Sequence, residues 1–298
     1  MKKTTLFKKL MLDEEILVMP GCHDALSAKI IETVGFKAVT MGGYAASAAS
    51  LARPDVSILS LTENVGIARN IVQAVDLPLF VDGDTGHGNV TNVQRTIREF
   101  ENAGVAGLFI EDQVFPKRCG HMEGKQIIPK MEMVAKLKAA VDARVDEDMV
   151  IMARTDAIAV SGIDEAIERA NLYREAGADL IFVEAPTSLE EMKRINKSID
   201  APTLAIQIEG GKTPLLTTKE LEELGFNIVV YPNATVYATA WALKALWEGL
   251  MREGTTKNFM ERMICFDDFN TFIGLDNIRD LESYYYGDFF KSLKQKND

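Results

Sequence analysis

The chain has 298 residues, 47% apolar and 26% charged, the balance of a water-soluble globular protein able to bury a core without disulfide staples. Its 33 basic and 44 acidic residues give a net charge of −11, and no Lys/Arg-rich block is present, which argues against a nucleic-acid partner. No apolar run reaches the roughly 18 residues of a membrane helix. The start, MKKTTLFKKLMLDEE, lacks the apolar segment of a secretory signal, and Cys22, Cys119 and Cys265 are odd in number and far apart; the expectation is a cytoplasmic protein with no membrane partner.

Eight short apolar runs, each ending in polar residues, follow one another: ILVMPGCHD (16–24), KAVTMGGY (37–44), LPLFVDGDTG (77–86), GLFIEDQ (107–113), MVIMARTD (149–156), DLIFVEAP (179–186), APTLAIQIEGG (201–211) and NIVVYPN (227–233). They are rich in Val, Ile, Leu and Phe, as fully buried parallel strands are. Helical stretches follow several of them. AKIIETVGF ends at Gly35, VTNVQRTIREFENAGV runs from near Thr91 to Gly104, and GIDEAIERANLYREAGA stops at Gly177. SLEEMKRINKSI starts at Ser188 with Glu191 three residues on, a capping-box pattern, and TTKELEELGF stops at Gly225. The phrase of helix, glycine, apolar strand recurs as ETVGFKAV, ENAGVAGL, REAGADLI and EELGFNIV, which fits left-handed glycine caps.

Eight strand–helix units predict a (β/α)8 TIM barrel, one domain over residues 1–298 with a helical C-terminal tail from about residue 235. A doubly wound open sheet is the rival, but the Gly-rich phosphate loop expected after its first strand is missing. The tail segments FNTFIGL and IRDLESYYYGDFF carry much aromatic surface, which suggests packing against another subunit or the outside of the barrel.

In a barrel the strand C-termini meet at one mouth, where active sites are built. Here the strand ends supply Gly42, Gly43 and Tyr44; Asp82 and Asp84; Glu111; Arg154; Glu184; Gln207 and Glu209; and Asn233. Polar strand ends are ordinary, but several carboxylates facing one mouth repel each other unless a cation sits among them. Asp82, Asp84 and Glu111 form a hard oxygen set suited to Mg2+ or Mn2+. The plain alternative is a turn at Asp84 with Asp82 capping a helix. In PKRCGH (116–121), Cys119 stands among Lys117, Arg118 and His121, with Gly120 allowing a sharp backbone; nearby cations are expected to lower the thiol's pKa and suit it to proton transfer or nucleophilic attack. Arg154 can clamp a substrate carboxylate or pair with Glu184 or Glu111.

The motifs VDGDTGHG, IEDQ, PKRCGH, ARTDA and EGGKTP, in this order, resemble the isocitrate lyase/phosphoenolpyruvate mutase superfamily over about residues 16 to 290. The resemblance implies a (β/α)8 barrel with its last helix exchanged between subunits, usually in a homotetramer, bound Mg2+ or Mn2+, and a mobile loop around the KRCGH segment. The cysteine motif looks like that of the C–C bond lyases and unlike the phosphonomutases. EGGKTP is similar to 2,3-dimethylmalate lyase and to the phosphonomutase side, whereas methylisocitrate lyases tend to read TEFG there. Gln207 stands where many relatives have Asn, and Met41 where Ser is common.

The implied activity is cleavage of a 2-hydroxy dicarboxylic acid, with 2,3-dimethylmalate giving propionate and pyruvate preferred. The alternatives are 2-methylisocitrate lyase, then oxaloacetate hydrolase or decarboxylase, or a phosphonomutase. Under this reading Cys119 protonates the new carbanion. Arg154 and His121 offset carboxylate charge, Glu111 or Tyr44 is the base, and Gly42, Gly43 and Tyr44 hold the 2-oxo acid end. Lys117, Arg118, Gly120, Glu184, Gln207, Glu209 and Asn233 complete the substrate site.

Overall fold

The computed structural model describes residues 1–294. Its elements are α1 (Lys3–Met11), β1 (Leu17–Pro20), α2 (Ala25–Val34), β2 (Val39–Met41), α3 (Gly43–Leu51), α4 (Leu61–Ala74), β3 (Leu79–Asp82), α5 (Val90–Ala103), β4 (Gly107–Glu111), α6 (Lys130–Ala143), β5 (Val150–Thr155), α7 (Ile158–Ser161), α8 (Ile163–Glu175), β6 (Leu180–Val183), α9 (Leu189–Ser198), β7 (Leu204–Ile206), α10 (Thr218–Glu223), β8 (Ile228–Tyr231), α11 (Ala234–Glu253), α12 (Phe266–Phe272) and α13 (Leu275–Lys294). Contacts divide the chain into two compact units, residues 1–238 and the residues from 239 onward.

All eight expected runs become strands, and every ladder is parallel. Strands β2 to β6 pair in sequence, and β8 pairs with both β1 and β7. Single bridges close the ring, Gly21 with Thr40 between β1 and β2, and Ile181 with Thr203 between β6 and β7. The first unit is therefore an eight-stranded parallel barrel of the (β/α)8 kind. Strands β3 to β6 are buried at every position, which explains their unbroken apolar runs.

Alternation along the strands sorts the side chains. Phe80, Phe109, Met152, Phe182, Leu204 and Ile206 join one cluster drawn from around the ring, the barrel interior. Their neighbours Val81, Ile110, Ala153 and Val183 pack outward against the helices. Period two then sends the next residues after the inward layer, Asp82, Glu111, Arg154 and Glu184, toward the mouth.

The four glycines of the repeated phrase lie at positive φ: Gly35 at 100°, Gly104 at 87°, Gly177 at 107° and Gly225 at 92°. Without a Cβ the chain passes cheaply through this region and turns from helix to strand. At α9 the expected reciprocal capping box is incomplete. Ser188 accepts from the Glu191 amide, but the Glu191 carboxylate accepts from the amide and hydroxyl of Thr187. Helices α3, α4 and α6, between strands where the sequence reading placed none, complete the outer layer.

Helix α1 forms at the N-terminus, where the sequence carries no helix expectation. It buries Phe7 and Met11, and Phe7 stacks on Phe80 with ring centroids 5.4 Å apart. Phe80 in turn lies 6.4 Å from Phe109, and Phe109 6.5 Å from Phe182. Helix α1 thus plugs the barrel interior with an aromatic side chain.

The second unit comprises the rest of α11, a 3-10 turn at Lys257–Arg262, α12 and α13. Trp241, Trp247, Phe266 and Tyr284 are exposed. Residues 295–298 of the expected tail lie outside the described residues. No helix among the described residues is long and apolar enough to cross a membrane.

Replacing the fully buried Phe7 with Ala should cost about 3–5 kcal/mol of stability, the usual loss for a buried aromatic ring. Urea unfolding of both proteins measures it, and a loss under about 1 kcal/mol would show that α1 does not plug the barrel.

Candidate active site at the barrel mouth

A cavity opens above the aromatic layer, and Gly42, Gly43, Tyr44, Asp82, Cys119, Gly120, Arg154 and Asn233 line it. Gly42 is the N-cap of α3, so the first turn of that helix points its amides at the mouth. One of them is taken, because the Gly43 amide donates to Asp82 Oδ2 at 3.0 Å. Asp82 Oδ1 accepts from the Asp84 amide at 2.8 Å, and Asp84 sits at φ 50°. Turn and helix-cap roles therefore hold for this pair, beside any role toward a ligand.

A lysine occupies the centre of the acidic set. Lys117 Nζ lies 2.7 Å from Asp55 Oδ2, 3.0 Å from Asp84 Oδ1 and 3.7 Å from Asp82 Oδ2, and its side chain is almost wholly buried. Burial opposes its charge, but Asp82, Asp84, Glu111 and Asp55 outweigh that and hold its pKa well above the usual lysine value. Burial pushes Asp55 and Asp84 up, and Lys117 opposes the shift. Glu111 is driven well up by burial, with Arg154 and Lys117 opposing.

Lys117, expected to touch substrate, is thus spent on carboxylates. As arranged, no three His, Cys, Asp or Glu side chains among the described residues form a metal cage. Of the expected set, Asp82 and Asp84 pair with this lysine, and Glu111 lies against Arg154. Asp55 belongs to the same cluster and lines the cavity, yet the sequence reading missed it. It sits in the loop after α3, away from any strand end; only the Pro54–Asp55 step, a common turn opening, marked it.

Arg154 is the second centre. Its Nε and Nη2 reach Asp156 at 3.0 and 3.1 Å, its Nη1 lies 3.0 Å from Glu184, and its Nε lies 3.3 Å from Glu111. The expected pairing of Arg154 with Glu184 and Glu111 is present, and the residue also lines the cavity. Burial pushes Asp156 up, but Arg154 and Lys125 more than offset this and hold it below the usual carboxylate range. Behind the mouth, Asp112 accepts from Thr155 and Tyr173 and from Arg169, with its second oxygen on the Asp156 amide at 2.9 Å. This buried knot ties the ends of β4 and β5 together and fixes the stations of Glu111 and Arg154.

The loop carrying Cys119 lies over the cavity. His121 Nδ1 accepts from the Lys212 amide at 2.9 Å, which leaves Nε2 as the protonated nitrogen of the neutral ring, 3.1 Å from Glu184 Oε1. Lys212 belongs to the EGGKTP segment, so that motif pins the loop. At Gly120 a Cβ would overlap Glu184 and Arg154, so only glycine lets the backbone settle there.

The expected depression of the Cys119 thiol is reversed. Burial, with Glu184 and Asp55 nearby, pushes its pKa up to about 11, although a backbone hydrogen bond at His121 and the Arg154 charge oppose this. The cations of the motif face elsewhere: Lys117 toward the aspartates, and the exposed Arg118 toward the Glu123 carbonyl. Cys119 is thus a protonated thiol at neutral pH.

Three expected substrate contacts fall away from the cavity. Arg118 is exposed, with its backbone clasped by the Gln113 side chain. Gln207 lies between the inward Ile206 and Ile208, so the pleat turns it outward, where it bonds the Leu216 amide and the Ile206 and Pro214 carbonyls. Glu209 sits exposed in the turn closed by the Gly211 amide on the Ile208 carbonyl. Asn233 is buried at the cavity, its Nδ2 3.3 Å from Tyr237 Oη, and the Tyr44 and Tyr237 rings meet edge to face.

The chain matches the family model described as phosphoenolpyruvate phosphomutase over residues 7–251. It is 52% identical to a 2,3-dimethylmalate lyase of Eubacterium barkeri over 278 residues, covering 93% of this chain and 96% of that one. Among solved structures, oxaloacetate acetylhydrolase in complex with 3,3-difluorooxalacetate superposes with a TM-score of 0.91 at 31% identity, over 95% of this chain and 97% of that one. Phosphonopyruvate hydrolase in complex with oxalate and Mg++ superposes with a TM-score of 0.87 at 29% identity, over 96% of this chain and 99% of that one. With its parallel barrel, its acidic mouth and the thiol loop above it, the chain belongs to the phosphoenolpyruvate phosphomutase family, within the phosphoenolpyruvate mutase/isocitrate lyase superfamily.

Proposed function

We propose that this protein is a carbon–carbon lyase that cleaves 2,3-dimethylmalate to pyruvate and propionate. The observation that carries this reading is the cavity itself. A protonated thiol and Arg154 stand at its mouth, while its floor is Phe80, Phe109, Met152, Phe182, Leu204 and Ile206. Such a floor suits methyl substituents and offers no cation for a third carboxylate, which favours a dimethylmalate over a methylisocitrate. The 52% identity to a 2,3-dimethylmalate lyase points the same way.

Charge balance calls for a divalent cation. Asp55, Asp82, Asp84, Glu111, Asp156 and Glu184 outnumber the lysine and arginine cations paired with them, Lys117, Lys125 and Arg154, and a dianionic substrate adds two more negative charges. Both oxygens of buried Glu111 have no hydrogen-bond partner, and Asp84 Oδ1 has only its ion pair with Lys117. These hard donors fit Mg2+ or Mn2+, and Asp82, Asp84 and Glu111 would hold the ion. Bound there, the ion would lower the pKa of the substrate 2-hydroxyl and steady the oxyanion left on its loss.

The remaining work falls to the chain. Arg154 binds the carboxylate of the departing propionate half, whose charge rises as the C2–C3 bond breaks. The first turn of α3, from Gly42 to Tyr44, faces the 2-oxo acid end with its amides. Asn233 lies at the same wall. Electrons of the broken bond collect on C3, and the Cys119 thiol donates its proton there, giving propionate; the hydroxyl proton leaves to a base. His121 and Glu184 fix Gly120 and with it the thiol, and the loop excludes water. A cytoplasmic setting suits the three unpaired thiols. The exposed Trp241, Trp247 and Phe266 support a homotetramer in which the last helix is exchanged between subunits.

The function is tested with 2,3-dimethylmalate, 2-methylisocitrate, oxaloacetate and phosphoenolpyruvate as separate substrates, with pyruvate, succinate, oxalate and phosphonopyruvate as products to be assayed. The expected result is pyruvate and propionate from dimethylmalate with the highest kcat/KM. Higher kcat/KM on methylisocitrate, with succinate released, would replace this reading.

Replacing Cys119 with Ala should lower kcat by about a hundredfold or more, the usual share of a general acid, with KM little changed. Near-normal turnover would remove the thiol as proton donor. EDTA should abolish turnover and Mg2+ or Mn2+ should restore it, while Asp82→Ala should show no rescue by either ion. Full activity after EDTA treatment would refute the metal assignment.

A further inference from the structure

Lys125 lies at the end of the loop that carries Cys119. That loop leaves the barrel through a short stem in which Gln113 bridges Ile127 and the Val114 amide donates to the Gln126 carbonyl at 2.8 Å. The Lys125 ammonium turns back inside the loop. Its side chain is only 2% exposed, and its Nζ donates to the Gly120 carbonyl and to Asp156 Oδ1, the latter at 3.0 Å. Gly120 is the residue after Cys119, and Asp156 is the carboxylate that forks onto Arg154. Asp156 in turn is fixed through its amide to Asp112 Oδ1.

One buried ammonium therefore joins the peptide beside the thiol to the rigid ends of β4 and β5. The other loop cations do not share this work, since Lys117 is held by aspartates and Arg118 is exposed. A lysine buried this deeply is held by its acceptors, and without it the Gly120 carbonyl and one Asp156 oxygen lose a charge-assisted partner.

We propose that Lys125 is the positioning residue that latches the loop and holds Cys119 over the cavity. Its catalytic consequence rests on the reading of Cys119 as proton donor given above; its structural consequence does not. Lys125→Met keeps the length and volume of the side chain and removes the ammonium.

The test is the rate of iodoacetamide alkylation of each cysteine in the full-length protein with Mg2+ present, read by peptide mass spectrometry. Cys22, fully buried in the barrel wall, reports global loosening. The variant should alkylate Cys119 about tenfold faster or more, the shift in opening that loss of a charge-assisted hydrogen bond brings, while Cys22 keeps its parent rate. On dimethylmalate kcat should fall about tenfold, with KM changed by less than about threefold. An unchanged Cys119 rate, or a parallel rise at Cys22, would overturn the latch. Faster Cys119 alkylation with unchanged kcat would keep the latch and refute the thiol as proton donor. If Lys125→Met is insoluble, Lys125→Gln is read by the same criteria.

Discussion

The barrel mouth gathers six buried or cavity-lining carboxylates, Asp55, Asp82, Asp84, Glu111, Asp156 and Glu184, against the three cations Lys117, Lys125 and Arg154. Removing so much charge from water is costly, and only close pairing with additional hydrogen bonds repays it. The pairing here is uneven. Asp156 is fully met by Arg154 and Lys125, and its pKa is held down. Glu111 has Arg154 near one oxygen, no hydrogen bond at either, and a pKa driven well up. The two ends of one cluster thus differ in kind. One is saturated and rigid, whereas the other has unused oxygens whose ionised form burial disfavours. A positively charged ligand belongs at the second, and a positioning role belongs at the first.

The aromatic layer beneath explains why such a mouth is tolerable. Phe80, Phe109, Met152 and Phe182 fill the barrel one pleat below Asp82, Glu111, Arg154 and Glu184. The Arg154 guanidinium lies 5.3 Å from the Phe182 ring centroid and 5.7 Å from that of Phe109, within the range of cation–π attraction. The same residues give the cavity an apolar floor and its charged rim a rigid support. From below, Phe7 of α1 stacks on this layer, so the N-terminal helix supports the site without touching it.

Most of this was legible where a local rule applied. Eight buried parallel strands read as apolar runs, and the glycine caps read as a recurring phrase. The inward stations of Asp82, Glu111, Arg154 and Glu184 follow from period two once one inward residue is known. The same parity would have excluded Gln207, which was counted because it ends a strand, although it stands between two inward isoleucines. What stayed hidden depends on contacts distant in sequence. Asp55 reaches the cluster from a loop, the Asp112 knot draws on Arg169 and Tyr173 of α8, and the Cys119 thiol is raised by burial, with Glu184 and Asp55 adding to it from afar in the chain. Sequence adjacency to Lys117, Arg118 and His121 suggested an acidified thiol; in space two of those side chains turn away and the third pairs with Glu184.

That reversal changes what the thiol is for. A cysteine whose pKa is lowered is a thiolate nucleophile, ready before substrate arrives. One held up at about 11 by burial is the opposite, a weak acid that keeps its proton until a stronger base appears beside it. In the proposed reaction the carbanion left by C2–C3 cleavage would be such a base, formed in the cavity beneath the thiol. The carboxylates that raise the thiol's pKa also keep the proton from being lost early. Under the proposed function, therefore, the acidic mouth would serve two ends: it would attract the cation that a dianionic substrate requires, and with burial it would keep the proton donor loaded until the bond has broken.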